Sequence, residues 1–206
     1  MVDLNEVSEE EIEKACEKSL EEEDVTKPEL GPEQILNALM GIEHMAHFEW
    51  REAALEACPD VDPQELVEKY WEIVGRDTAD SYVTMLDKTE PTFVRDVANS
   101  IAFSSVAMGE DAKVIKGRSD LEYYVRWDRC PWYEYGRRYD AVEEDLPGCD
   151  KWCEVVIERI NKYFGTNIKF ETLKAHPLGD DCCLRRIWSE ENPAEKYKEW
   201  ETPIEP

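Results

Sequence analysis

Two of the three histidines of the chain fall in one short stretch, Glu43-His44-Met45-Ala46-His47-Phe48-Glu49. On a helix His44 and His47 are i, i+3 neighbours, and Glu43 and His47 are i, i+4 neighbours, so the three could share a divalent ion such as zinc, manganese or iron. The spacing matches neither His-Glu-x-x-His nor Glu-x-x-His, and three ligands from one helix need a fourth from elsewhere. The competing reading is a half-buried helix that sets its histidines among apolar neighbours.

The seven cysteines are the second source of chemistry. None of their spacings reproduces the paired Cys-x-x-Cys of a structural zinc site, and free buried thiols are the default reading. Cys130 stands apart, because it lies past a strand end, before Pro131 and beside Arg129, where a cation would lower its pKa. It suits a nucleophile or a ligand. Cys182 and Cys183 are adjacent on a strand, where their side chains face opposite sides. The segment Gly179 to Arg186 gathers acids, thiols and arginines at a strand mouth, and Arg185 or Arg186 could fork onto a carboxylate. As plain structure the same segment is a hairpin turn. Trp127, Trp132, Tyr133 and Tyr135 could wall a small-molecule pocket, although aromatic stripes also build cores.

The elements that position these residues can be read from periodicity. Ser8 and Glu11 form a capping box for an acidic helix from about Glu9 to Glu22. Pro32 opens a second helix carrying Ile35, Leu39, Ile42, Met45, Ala46 and Ala53, which ends before Cys58-Pro59. Asp62-Pro63-Gln64-Glu65 starts a third, with Leu66, Tyr70, Ile73 and Val74 at helical spacing. A fourth, with Phe93, Val97 and Ile101, stops at Gly109. Beyond it the period changes to two: Leu121, Tyr123, Val125 and Trp127 alternate with polar partners as a half-buried strand does. A fifth helix runs from about Asp150 to Phe164. Ile168, Phe170 and Thr172 alternate, and Cys182, Leu184, Arg186 and Trp188 do so after the turn at Pro177-Leu178-Gly179-Asp180, which predicts an antiparallel hairpin.

Helices first, then strand, helix, strand and strand is not βαβ alternation. The expected class is α+β, an N-terminal helical layer packed on a small antiparallel sheet with one inserted helix. The expected organisation is an acidic arm over 1–30, a single domain over 31–190 divided at 109/110 into helical and sheet-containing parts, and a loose tail over 191–206.

Composition bounds the partners. Hydrophobic residues make up 42 % of the 206 and aromatics 10 %, enough apolar material for a core. The 49 acids against 24 Lys and Arg give a net charge of -25, a field that repels phosphate backbones and anionic lipid, so neither nucleic acid nor membrane is an expected partner. An odd number of cysteines with no leader-like start predicts a reducing, cytoplasmic setting. A homodimer is the expected oligomer, on the ground that two-fold dimers are the commonest.

The strand-end Cys130-Pro131, the helix from Cys149 to Gly165 ahead of a strand, and the closing Gly179-Asp180-Asp181-Cys182 followed by Leu184 resemble the L-2-amino-thiazoline-4-carboxylic acid hydrolase family. That family is itself similar to the small-ligand-binding 4-vinyl reductase-type domain. The resemblance spans roughly residues 90–190. It implies hydrolytic opening of a small cyclic amidine that bears a carboxylate, giving an N-carbamoyl amino acid. Such chemistry needs a base for water and a group that helps the ring sulfur leave. The resemblance suggests Asp181 or a histidine as base, Cys130 and Cys182 as nucleophile or metal ligands, Trp132 and Tyr133 against the substrate, and Arg185 or Arg186 on its carboxylate. Two other classes compete with this hydrolase acting on C–N or C–S bonds. One is a module that binds or senses a small ligand without altering it, and the other is a subunit of a larger assembly.

Overall fold

The computed structural model describes residues 30–193; the acidic helix expected over Glu9 to Glu22 and most of the C-terminal tail lie outside them. The chain divides into two compact units, 1–38 and 39–206, and the second holds the sheet and most of the helical residues.

Five helices and four strands make up the described residues. Helix α1 is Pro32–Ala57, α2 is Pro63–Tyr82 and α3 is Phe93–Ala107. Strands β1 (Asp111–Lys116) and β2 (Glu122–Arg129) come next, then α4 (Pro131–Arg138), α5 (Val142–Phe164), β3 (Ile168–Lys174), a single 3-10 turn over His176–Leu178, and β4 (Cys183–Ser189). The sheet is antiparallel throughout, in the order β1-β2-β4-β3. The class is α+β, as the periodicity predicts.

Start and stop chemistry explains the boundaries. The Asp62 carboxylate caps α2 by accepting from the Gln64 N–H at 2.8 Å, with Pro63 at the first helical position. Helix α3 ends as Gly109 takes φ +79°, and the Glu110 N–H then returns to the Ser105 carbonyl at 3.0 Å. A left-handed residue followed by that backward bond satisfies carbonyls the helix leaves open. It also fixes where Glu110 leaves the helix.

The inner face of the sheet is set by register. Tyr123, Val125 and Trp127 of β2 stand opposite Ile187, Arg185 and Cys183 of β4, and Thr172 and Phe170 of β3 stand opposite Arg185 and Ile187. The main core lies between this face and the helices, with Ile101, Ile160, Ile187, Val97, Val125 and Val156 almost fully buried. Each side chain of this kind contributes about 1.5–3 kcal/mol on leaving water. A second cluster, Phe48, Trp132 and Ala141 with Trp71, Met108 and Tyr135 around it, sits beside the site.

Three local expectations need correction, and one strand is not legible in the sequence. Ile35, Leu39 and Ile42 are exposed, and α1 buries His44, His47 and Phe48 instead. Aromatic contacts explain this: His44 packs on Trp132 at 4.3 Å and His47 on Tyr70 at 4.5 Å. In β4 the buried positions are Arg185, Ile187 and Ser189, the opposite phase from the alternation of Leu184, Arg186 and Trp188. The buried guanidinium meets enough polar partners to hold that phase. Strand β1 carries too short an apolar signal to be read from Asp-Ala-Lys-Val-Ile-Lys, and it forms by pairing with β2. Helix α5 begins two turns earlier than Asp150 and carries Pro147 inside it. At the next residue, Gly148, a Cβ would come within 2.5 Å of the Trp71 ring, so α2 and α5 approach there as only glycine allows.

Candidate functional site

A cavity of about 350 Å³ opens where the C-terminal end of α3, the start of α5, α2 and the inner sheet face meet. Its walls are aromatic: Tyr70 and Trp71 from α2, Trp127 from β2, Trp132 from α4 and Trp152 from α5. Trp71 and Trp132 meet edge to face, their ring centroids 5.1 Å apart. Into this apolar space project Glu110, Asp145, Arg185 and the thiols of Cys130, Cys149 and Cys183. The volume is at the lower end of what small-molecule sites enclose.

Each charged group is placed by its element. Glu110 comes directly after the Gly109 turn. Burial pushes its carboxyl up to about 7, against the pull of Ser105, Arg185 and Trp132, while Asp145 adds to the rise. Asp145 lies in the first turn of α5, where a helix dipole favours an anion, yet burial carries it up to about 6 against Arg185 and His176. Two carboxyls raised toward neutrality in one cleft make it the candidate functional site by a physical criterion.

Arg185 is held on three sides. Its Nε donates to Thr172 Oγ1 at 3.0 Å, Nη1 to Cys153 Sγ at 3.0 Å and Nη2 to Asp150 Oδ1 at 2.7 Å. Thr172 in turn donates to Asp150 at 2.7 Å. A guanidinium has five N–H groups, so two remain for a ligand. Arg185 is therefore a pre-oriented cation at the cavity floor, 5.7 Å from the Trp127 ring.

The thiols are neutral groups here. Burial raises the Cys130 pKa well above its ordinary value, and the nearby Glu110 and Asp145 raise it further. Burial likewise raises Cys149 and Cys183. The lowering expected from Arg129 does not occur, because Arg129 forks onto Glu134 at 2.9 and 2.8 Å.

Of the residues singled out from the sequence, the fold brings Glu43, Trp127, Cys130, Trp132, Cys183 and Arg185 to the cavity. Asp181 is exposed and pairs with Lys174 at 3.0 Å, and Cys182 is buried away from the lining. Arg186 faces the other side of the sheet, bound to Glu122 at 2.6 Å and stacked over Trp188 at 4.2 Å. Tyr133 stacks on His176 at 5.4 Å. His44 donates from Nδ1 to the Met40 carbonyl at 2.6 Å, and burial lowers the pKa of both His44 and His47, the latter to about 4. Among the described residues no three His, Cys, Asp or Glu side chains converge as a metal site would require. Glu110, Asp145 and Cys149 are not legible as site residues in the sequence. Glu110 reads as a charge after a helix stop, and Asp145 as part of the solvated acidic run Glu143-Glu144-Asp145.

The two raised carboxyls make a stability prediction. A carboxyl whose folded pKa is raised stabilises the fold fully below its unfolded pKa, and that contribution is lost as pH rises through the folded pKa. For Glu110 the window is 4.5 to about 7 and for Asp145 it is 3.8 to about 6. Glu110→Gln and Asp145→Asn are therefore expected to gain in Tm relative to wild type between pH 5 and pH 8. A difference in Tm that does not change over that range would show that these carboxyls are hydrated.

An α+β domain with an aromatic-lined cavity between its helices and sheet is the class that fold and site define. The chain belongs to the L-2-amino-thiazoline-4-carboxylic acid hydrolase family, whose sequence model matches residues 40–187. No curated protein matches the chain. The fold is shared with the phenol-responsive sensory domain of the transcription activator PoxR, solved with phenol, at 10 % identity and a TM-score of 0.50 over 78 % of this chain and 82 % of that one. A trafficking protein particle complex subunit 3 from Naegleria fowleri, covalently bound to palmitic acid, is similar at 19 % identity and a TM-score of 0.49, over 76 % of this chain and 98 % of that one. No helix of the described residues is long and apolar enough to cross a membrane.

Proposed function

We propose that the cavity is a hydrolytic site for a small cyclic amidine bearing a carboxylate, the substrate type that the family's name describes. The observation that carries the reading is Glu110, a carboxyl poised at about 7 in an apolar cavity that also holds Arg185. A general base works best when its pKa lies near the working pH.

In this reading Arg185 takes the substrate carboxylate and the indoles confine the ring. Ionised Glu110 removes a proton from water as its oxygen adds to the ring carbon between nitrogen and sulfur. The carbon–sulfur bond then breaks, Glu110 returns that proton to the departing sulfur, and the second proton of the water passes from the new hydroxyl to the ring nitrogen, whose C=N bond has opened. Water is consumed, a carbonyl and a thiol form, and no electrons are exchanged with a third party. The neutral thiols of Cys130, Cys149 and Cys183 line the site. The six described cysteines are free, which accords with a reducing compartment such as the cytoplasm.

The test is incubation of the protein with L-2-amino-thiazoline-4-carboxylate, with products followed by mass spectrometry. A thiol-bearing product heavier by one water is expected; intact substrate at any enzyme concentration would refute hydrolysis. The apolar lining, which includes four tryptophans, favours a second reading, in which the cavity holds a small ligand unaltered, as the sensory domain that shares this fold was solved with phenol. Recovery of a co-purified or added ligand bound and unchanged is its signature.

A further inference from the structure

The cavity is larger than a cyclic amidine carboxylate requires. An apolar site of about 150 Å³ holds benzene, roughly 25 Å³ for each non-hydrogen atom. At that density about 350 Å³ accepts about 14 such atoms. The ring, amine and carboxylate of L-2-amino-thiazoline-4-carboxylate fill about two thirds of it, which leaves room for roughly five more.

The walls differ in chemistry. Glu110, Asp145 and Arg185 enter from the turn after α3, the start of α5 and the sheet, whereas α2 and α3 contribute no charged side chain to the lining. Thr78 and Val74 lie one and two turns before Tyr82, whose hydroxyl meets Ser104 Oγ of α3 at 2.5 Å. Beside that tie, Val74 and Thr78 share the wall with Phe103 and Ala107 of α3. The Thr78 hydroxyl is used within its own helix, where it donates to the Val74 carbonyl at 2.8 Å. Phe103 lines the cavity and is nonetheless 68 % exposed, an aromatic ring left in water at the opening. An apolar group laid against it would remove that surface from water.

We propose that the ligand of this cavity carries an apolar arm of about four to six non-hydrogen atoms, seated between α2 and α3 against Val74, Thr78, Phe103 and Ala107. The proposal rests on reading the cavity as a ligand site, and it holds equally for a ligand that is hydrolysed and for one that is only bound. Phe103 and Ala107 then determine which arms are accepted, while the charged groups read the polar end.

Benzoate and 4-butylbenzoate serve as probes: benzoate matches the cyclic amidine in size and brings a carboxylate for Arg185, and the butyl chain adds only the arm. The titrations use the full chain at pH 6, where Glu110 is largely protonated. Calorimetry is expected to give 4-butylbenzoate at least about 20-fold tighter binding than benzoate, since each buried methylene is worth about 4-fold and the open side leaves part of the chain wet. Ala107→Trp fills the arm's place from an exposed position. It is expected to cut the gain below about 3-fold while leaving benzoate affinity within about 3-fold of wild type. Phe103→Asp is expected to reduce the gain as well, by setting a charge against the chain. An unfolded variant would show itself by losing both ligands. Equal binding of the two probes, no binding of 4-butylbenzoate, or a gain that survives both substitutions would overturn the proposal. Turnover is a separate readout: a gain from the arm without hydrolysis of the cyclic amidine removes the hydrolase reading and supports this one, whereas hydrolysis without a gain does the reverse.

Discussion

Replacement of Glu110 by Gln is expected to lower kcat/KM for the cyclic amidine carboxylate by about 10²–10⁴-fold, the usual share of a positioned acid–base group. Glutamine keeps the shape and the hydrogen-bonding reach toward Ser105 and Trp132 but cannot take a proton. The loss should fall on kcat rather than KM, because the proton moves only in the transition state. Wild-type activity should rise as pH passes about 7, where burial has placed the Glu110 titration, and the variant should lack that rise. The same burial makes the substitution harmless or favourable to the fold above that pH, so lost rate with retained Tm separates chemistry from unfolding. An unchanged rate in the folded variant would remove Glu110 from the mechanism.

The second large effect is expected at Arg185. Arg185→Met removes a buried cation that contacts Thr172, Cys153 and Asp150. Breaking a fully buried pair costs about 3–5 kcal/mol. The Asp150 side chain is 39 % exposed and rehydrates, so the loss here should be well below that range. The functional loss should be larger and show in KM: a charge-assisted contact of about 1.5–3 kcal/mol corresponds to roughly 10–150-fold in binding. Lysine at this position should recover little, since a point charge reproduces neither the fork to a carboxylate nor the three fixed contacts. A 2-amino-thiazoline lacking the carboxylate sharpens the test. It should bind wild type and Arg185→Met equally, and a large drop in its affinity in the variant would assign Arg185 to packing rather than to carboxylate recognition.

The sequence carries the scaffold better than the site, for reasons visible in particular residues. Asp62-Pro63 and Gly109 mark helix ends because their local chemistry acts within a few residues, and the period of two in Tyr123, Val125 and Trp127 comes directly from one buried sheet face. Signals that depend on distant partners mislead. Leu39 and Ile42 look like a core stripe, but α1 turns His44, His47 and Phe48 toward aromatic rings contributed by α2 and α4. Arg186 and Arg185 are indistinguishable as neighbours in a string. Which of them faces the cavity is settled by Thr172 and Asp150, residues 13 and 35 positions away. Glu110 and Asp145 give no sign at all, because a carboxyl acquires a raised pKa from burial that only the assembled helices and sheet provide. Cys130 and Trp132 are legible because Cys-Pro at a strand end is unusual locally. The expectation for the charge state of Cys130 fails because Arg129 pairs with Glu134.

The most direct test is a crystal structure of Glu110→Gln with L-2-amino-thiazoline-4-carboxylate. The ring should lie in the cavity among Trp71, Trp127 and Trp132, its carboxylate on Arg185 and its amidine toward Asp145 and residue 110. A ligand bound outside this cavity, or one whose carboxylate points away from Arg185, would contradict the assignment of the site.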